Sequence, residues 1–222
     1  MKQIFFVLFI TSAFLISCKN KSESVQVNEA QSVAEASGKS FMVSSATSKV
    51  LWFANSPGGG HNGTFPVADG SLTVDNGVIT SGKFTLDLTK LTVDDLSGED
   101  KSNLESHLKG TGGKGEEDFF NTKKFPTSTF EITKVTGLAN DKEGNALVYG
   151  NLTILTVTKE VSFKANINIL ENNVTVTTPI FQINRTDWGL KYQSKNFGAL
   201  KDEFINDEVK LQINLNAGIA QK

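Results

Sequence analysis

The feature that most constrains this chain is a strict alternation of apolar and polar residues over residues 161–169, which read VSFKANINI. Side chains on a β-strand point alternately to its two faces, so this pattern predicts a strand with one dry face and one wet face. The same period recurs in shorter runs along the chain beyond Gly38. These runs are residues 49–54, 71–74, 83–89, 129–135, 147–154, 174–178, 180–184 and 209–216.

Turn-forming residues separate the predicted strands, as at residues 75–77, 140–145 and 171–173. Many half-polar strands joined by short turns are typical of an antiparallel sheet with one solvated face. With roughly eight to ten strands, closure into a barrel removes the exposed sheet edges. We therefore predict an all-β fold, an antiparallel barrel.

One segment departs from the alternation and indicates a short helix over residues 97–109. Ser97 and Asp100 have the spacing of a helix-capping pair, and Leu104 and Leu108 lie one helical turn apart. Gly110 follows as a natural terminator. We expect this helix to lie on or across one end of the barrel.

Composition excludes several functional classes. The 22 basic and 24 acidic residues give a formal charge of −2, so no basic surplus indicates a nucleic-acid partner. A single Cys excludes an intramolecular disulfide and a Cys-cluster zinc site. Sixteen Phe against two Tyr and two Trp favour dry aromatic contacts, in either a packed core or an apolar pocket.

The N-terminal residues predict export. Lys2 precedes an apolar stretch over residues 4–16, which is too short for a membrane-spanning helix and has the build of a signal peptide. Residues 15–18, LISC, resemble the lipobox of bacterial lipoproteins, although an ordinary signal peptide with an incidental thiol has the same outline. We predict a lipoprotein signal peptide over residues 1–17, lipidation of Cys18, and a lipid-anchored location in the cell envelope, on the outer membrane or facing the periplasm.

Residues 18–37 contain few large apolar side chains, so burial cannot offset the cost of ordering them. We predict a flexible tether there, partly helical over residues 29–36. The folded domain is then expected to span residues 38–217, followed by a C-terminal tail over residues 218–222.

The motifs that could carry chemistry lack the context that such chemistry requires. Residues 110–115 match G-x-G-x-x-G, but they follow a predicted helix and precede three acidic residues, so a loop is the better interpretation. The glycine-rich residues 58–63 lack the Gly-Lys-Ser/Thr of a phosphate loop, and no G-x-S-x-G nucleophile motif is present. His61 and His107 have no metal-ligand spacing around them. We predict a non-enzyme with no cofactor and no metal.

Residues 118–121, DFFN, and 125–130, FPTSTF, resemble the DFFD…YPTATF signature of the YceI-like family of secreted lipid- or polyisoprenoid-binding proteins. The chain departs from the family pattern at Asn121, at Thr156 and in an apparent insertion over residues 110–117. The resemblance covers about residues 45–217 in the expected order. Supporting matches are Trp52 and residues 60–63, 82–88, 107–108, 150–154, 157–161 and 185–190.

The resemblance implies a lipocalin-like, eight-stranded antiparallel barrel with a long apolar cavity for an isoprenoid chain and no catalytic residues. Our candidates for polar groups at the mouth of such a cavity are His61, His107 and Arg185. The apolar residues that alternate along each predicted strand are the candidate lining. Alternation alone cannot distinguish the wall of a cavity from a filled core. The lining candidates are Phe84, Leu86, Phe130, Ile132, Phe163, Ala165, Ile167, Phe181 and Ile183.

Two functions follow as hypotheses. The first is a lipid-anchored envelope protein that holds a polyisoprenoid or similar amphiphilic lipid for carriage, storage or stress protection. The alternative is a structural or interaction protein with a filled barrel, which binds another envelope component through its loops.

Overall fold

The computed structural model describes residues 23–200 and 202–219, which form thirteen strands, one α-helix and three short 3₁₀-helices. The strands are β1 (Glu23–Ser24), β2 (Gln26–Glu29), β3 (Lys39–Val43), β4 (Lys49–Ser56), β5 (Gly59–Asp75), β6 (Val78–Asp87), β7 (Thr92–Val93), β8 (Thr127–Gly137), β9 (Ala146–Ile154), β10 (Val157–Ile169), β11 (Asn173–Thr177), β12 (Phe181–Asn184) and β13 (Glu208–Ile219). The α-helix, α1, is Gly98–Lys109, and the 3₁₀-helices are Leu88–Lys90, Arg185–Trp188 and Lys195–Phe197.

Eight strands close into a ring, which confirms the predicted barrel. The order around the ring is β4, β5, β6, β8, β9, β10, β11 and β13, and every neighbouring pair is antiparallel. Strand β3 continues the position of β4 at one end, where it bridges β5 and β13. The apolar faces of these strands meet inside the ring and form one continuous core.

Six of the nine predicted strand runs lie within observed strands, residues 83–89 extend into the first 3₁₀-helix, and residues 174–178 and 180–184 exceed β11 and β12 by one residue each. The glycine-rich run over residues 58–63 was not among the predicted strands. Most of it opens the 17-residue strand β5, which pairs with β4 from Ser56↔Gly59 onward. The glycines allow a close approach of other groups to this strand. A Cβ on Gly63 would lie 2.7 Å from the indole of Trp52 and would overlap the Thr92 carbonyl.

Residues 23–37, the described part of the segment before Gly38, also differ from the prediction of a flexible tether. Strand β1 pairs in parallel with β12, and β2 pairs in antiparallel with β10. Val25 and Val27 pack against the core, so their burial supplies the free energy that the composition did not suggest. The backbone N–H and carbonyl of Gln31 then hydrogen-bond to the Asn151 side chain, and residues 30–37 contain no helix.

The two ends of the chain complete this comparison. The predicted signal peptide, residues 1–17, and Cys18 lie outside the described residues. Gly218 and Ile219, which we assigned to a tail, pair with β3. Within the described ranges, no helix is both long and apolar enough to cross a membrane.

Helix α1 confirms the predicted helix and lies at one end of the barrel. It begins after Ser97 and ends at Gly110, whose φ of 69° is left-handed and easily adopted by glycine. The Ser97 side chain makes no capping hydrogen bond. The helix is tied down instead by the Val93 N–H, which donates to the Glu105 carboxylate, and by the Phe120 N–H, which donates to the Leu108 carbonyl.

A row of aromatic rings crosses the barrel interior from β6 to β12. Phe130 lies 6.4 Å from Phe84 and 5.6 Å from Phe163, and Phe163 stacks on Phe181 at 4.7 Å with an angle of 7°. Strand β9 lies between β8 and β10, and its Gly150 leaves room for the Phe130 ring to cross it. A Cβ on Gly150 would overlap the Phe130 ring, so this glycine is required by a close approach.

We predict that Gly150→Ala destabilises the protein by about 1–3 kcal/mol, because Phe130 is held between two other rings and cannot move aside without strain. The matched control is Gly137→Ala at the end of β8, where a Cβ would meet open space. That change is expected to stay within about 0.5 kcal/mol or to stabilise slightly. Urea unfolding measures both, and equal stability of the two variants would contradict this account of Gly150.

Candidate ligand-binding site

Two cavities lie end to end inside the barrel. The distal chamber has a volume of about 90 Å³, and the cap chamber, which lies under α1, has a volume of about 120 Å³. Their shared walls are Val50, Leu86, Leu152 and Leu211, so the two spaces are adjacent along the barrel axis. The exposed surface of both chambers is wholly apolar.

The structure places most of the predicted lining residues on these walls. The residues that line the distal chamber are Phe84, Leu86, Phe130, Ile132, Phe163, Ile167 and Phe181. Ile183 lines the cap chamber together with Leu86. Ala165 is fully buried in the core but lies on neither chamber wall. The backbone of Gly144 packs closely against the backbone of Ala165. The structure therefore does not place this lining candidate on the wall of either chamber.

Sequence reasoning missed the residues that join the two chambers. Val50, Leu152 and Leu211 all belong to strands that we predicted, and each follows the same alternation as the residues we named. Extending the apolar row of every predicted strand would have found them. Phe119 and Phe120, which line the cap chamber, lie in the DFFN motif but outside any strand, so alternation gives no signal for them.

The cap chamber is closed by α1, by Phe119 and Phe120, and by the segment that follows β12. Trp188 in this segment is completely buried, and its indole N–H donates to the Leu152 carbonyl at 2.9 Å. That bond anchors the segment to the inside of the barrel wall. This end of the barrel is therefore covered by packed side chains.

Arg185 is not at the mouth, which corrects our assignment of a head-group role to it. It is 4% exposed, and its guanidinium donates to the carbonyls of Leu190, Ile205 and Asn206 at 2.7, 3.1 and 3.2 Å. Asp207 lies 3.5 Å away as its ion-pair partner. Burial lowers the pKa of Arg185, and the Asp207 carboxylate opposes that shift. Arg185 therefore holds the segment after β12 in place, and only its apolar part faces the cap chamber.

His61 lies near the covered end of the barrel, on β5, and is about half exposed. Its Nδ1 lies 2.9 Å from Asp95 Oδ2, and the Asn62 N–H donates to the other oxygen of the same carboxylate. Partial burial raises the pKa of Asp95, but the bonds from Asn62 and His61 outweigh it and bring the pKa below its usual value. The pair fixes the segment after β7 against β5.

His107 forms a similar pair on α1. Its Nε2 lies 2.8 Å from Asp118 Oδ2, and its ring meets the edges or faces of Phe119 and Tyr192 at 5.2 and 5.0 Å. His61 and His107 line one shallow recess on the outer side of the covered end. Among the described residues, no group of three His, Cys, Asp or Glu side chains could hold a metal ion.

We predict that Arg185→Gln costs about 3–5 kcal/mol of unfolding free energy, because it leaves the Asp207 carboxylate buried without its cation. The control is Lys90→Gln, which removes an exposed ion pair with Asp87 and is expected to cost at most about 1 kcal/mol. Chemical denaturation compares the two variants. A loss at Arg185 no greater than that at Lys90 would show that its buried bonds are not structural.

A family model described as the YceI-like domain matches residues 26–217 of this chain. That region begins in β2, before the domain boundary that we predicted at residue 38. Among curated proteins, the chain is 33% identical over 106 residues to Protein YceI of Salmonella arizonae, and 31% identical over 104 residues to a UPF0312 protein of Shewanella denitrificans. Both alignments cover 47% of this chain and 48% of the relative, so the chain spans about half the length of the curated relatives it matches.

Two solved structures have the same fold. BcnA of Burkholderia cenocepacia superposes with a TM-score of 0.60 and 19% identity, over 78% of this chain and 98% of that protein. A polyisoprenoid binding domain from Saccharophagus degradans superposes with a TM-score of 0.57 and 16% identity, over 83% of this chain and all of that domain. At these identities the likeness concerns the fold.

Proposed function

The chain belongs to the YceI-like domain family, and from this premise we propose that it is a binding protein that holds the hydrocarbon chain of a polyisoprenoid or similar amphiphilic lipid. The observation that carries the proposal is the pair of adjoining chambers, whose exposed surface is wholly apolar. A polar group inside them would lose its hydration without gaining a hydrogen bond. The buried part of the ligand is therefore hydrocarbon.

Chamber size restricts the shape of that hydrocarbon. An apolar protein cavity of about 150 Å³ accepts benzene, and the two chambers here measure about 90 and 120 Å³. A slender, flexible chain can occupy both in sequence, whereas a fused ring system would exceed either one. Each buried CH₂ contributes about 0.8 kcal/mol, so a few isoprene units give useful affinity after ordering costs.

We propose binding rather than catalysis, because the polar groups nearest the chambers are engaged in structural contacts. His61 and His107 each pair with a carboxylate outside the chambers, and Arg185 is bonded to backbone carbonyls. The polyisoprenoid-binding domain of Saccharophagus degradans, which shares the fold, is consistent with this role.

We predict that Val50→Phe lowers the affinity for a fluorescent isoprenoid at least tenfold, because Val50 lines both chambers and the larger ring would block their junction. Stability of the ligand-free protein is expected to hold within about 1 kcal/mol, since the ring enters free space. The control Leu51→Phe lies on the opposite face of β4 and is expected to change neither quantity.

The same experiment decides against the proposal if Val50→Phe costs about 1–3 kcal/mol while binding per folded molecule is unchanged. That outcome favours the alternative of a filled barrel that acts through its loops.

A specific observation supports the alternative: Phe197 and Leu200 are 53% and 68% exposed in the segment after β12, and Lys191 lies 4.4 Å from the Phe197 ring. This exposed part of the segment offers apolar and cationic contacts to another envelope component.

We also propose that lipid on Cys18 anchors the protein in the cell envelope, and the LISC motif supports this. Cys18→Ser removes the thiol to which lipid must be joined and leaves the apolar stretch intact, so the variant is expected in the soluble envelope or medium fraction. Fractionation after a salt wash, with immunodetection, measures this. A variant that stays with the membrane would contradict the lipoprotein proposal.

A further inference from the structure

The barrel wall is interrupted between β10 and β12. Pairing of β10 with β2 ends at Ser162, and its pairing with β11 begins at Asn166. Three strand residues span about 10 Å, so the interruption is wide enough for a hydrocarbon chain to lie across it.

Pro179 gives this interruption its cause. Strands β11 and β12 both pair with β13, and between them Thr178 keeps contact with β13: its N–H donates to the Ile213 carbonyl and its hydroxyl accepts from the Ile213 N–H. Pro179 has no N–H to donate and cannot continue a regular ladder. Beyond it β12 follows β13, while β10 pairs with β2 instead.

The N-terminal strap, residues 23–29, fills the space between the diverging strands. Two residue pairs, Glu23↔Phe181 and Ser24↔Gln182, and the Val25 N–H, which donates to the Gln182 carbonyl at 3.0 Å, attach it to β12, whereas four residue pairs attach it to β10. Val25 and Val27 face the core. The edge along β12 is therefore the weaker of the two.

Two stacked phenylalanine rings close the part of the wall interruption that the strap does not cover. Phe163 of β10 and Phe181 of β12 lie 4.7 Å apart and almost parallel. Both line the distal chamber, and both also line an outer cleft of about 340 Å³ beside the strap. The ring pair is therefore the partition between the apolar interior and this cleft.

The outer cleft has the mixed chemistry that the chambers lack. Ser24, Gln26, Tyr149 and Ser162 supply polar groups, and apolar residues such as Ile180 complete the wall. An amphiphile could therefore place its polar end here while its chain contacts Phe163 and Phe181.

Charge at the cleft favours a neutral polar end. Lys164 Nζ lies 3.1 Å from Asp141 and 3.0 Å from Glu143, so two carboxylates surround one ammonium. Hydrogen bonds from the Glu143 N–H and from Lys164 lower the pKa of Asp141, which keeps it ionised. Lys164 is the one cation among the cleft-lining residues that the structure describes, and it would have to leave these two carboxylates to bind a phosphate, whereas a hydroxyl or carbonyl requires no such exchange.

We propose that the outer cleft and the wall interruption form a lateral binding site, which seats the neutral polar end of an amphiphile and admits its chain sideways between Phe163 and Phe181. The strap separates from β12 to open this route. The inference rests on the proposed function, since it assumes that a hydrocarbon chain occupies the chambers. The covered end is the less favourable route, because opening it would disrupt the buried bonds of Arg185.

The test is a disulfide that locks the weaker edge of the strap. Ser24→Cys with Gln182→Cys joins neighbouring residues whose side-chain oxygens lie 3.4 Å apart, in a Cys18→Ser background that removes the only natural thiol. Loading of tritiated geranylgeraniol, followed by rapid filtration, is expected to slow at least tenfold in the oxidised protein and to recover on reduction. The matched control, Glu29→Cys with Lys159→Cys, locks the opposite edge at a pair outside the cleft lining and is expected to load within twofold of its reduced form.

The outcomes separate the inference from the proposed function. Normal binding with equal loading rates in oxidised and reduced Ser24/Gln182 protein would overturn the lateral route alone. A wild-type protein that binds no geranylgeraniol would overturn the proposed function and the inference with it.

A second measurement tests the polar end. Wild-type protein is expected to bind geranylgeraniol more tightly than geranylgeranyl phosphate, and Asp141→Asn with Glu143→Gln is expected to narrow that difference at least fivefold. The control, Glu171→Gln, changes an acidic residue that is not part of the cleft lining and is expected to leave the ratio unchanged. An unchanged ratio in the double variant would overturn the placement of the polar end in the cleft.

Discussion

The structure depends on closure of the sheet along β13. This strand pairs with β11 and β12 on one edge and with β3 and β4 on the other. It therefore connects the first strands of the ring to the last ones and closes the barrel. Closure gives each of the eight ring strands a neighbour on both edges, and it turns their apolar rows inward, where the exposed surface of both chambers is apolar. The apolar chambers, and any ligand that they accept, follow from that closure.

Alternation predicted the strands and most of the inner wall because period two assigns each residue to a face. Phe84 and Phe163 were found in this way, and both line the distal chamber. Alternation could not place Arg185, because a charged residue next to a strand end is expected at the surface. Three backbone carbonyls that come together only in the folded chain make its burial possible.

The ordered N-terminal strands and the division of the inner face into cavity wall and filled core also could not be predicted from the sequence. Both depend on contacts between residues far apart in the chain. Residues 24–28 alternate as SVQVN, but so short a run cannot form a stable strand by itself. It becomes ordered because it pairs with β10 and β12, which lie far away in the sequence. Whether an inner row lines a space or fills it depends on cross-barrel packing. Gly150 lets Phe130 reach over β9, whereas at Ala165 the fully buried position leaves no space on either chamber wall.

The central claim is that an apolar chain occupies the interior, and the most direct measurement is mass spectrometry of lipid extracted from protein purified from its native envelope without added detergent lipid. The account predicts about one molecule per barrel of an amphiphile with a slender, isoprenoid-like hydrocarbon chain. A barrel that carries no lipid, or one that carries only ligands with charged or polycyclic buried parts, would contradict it.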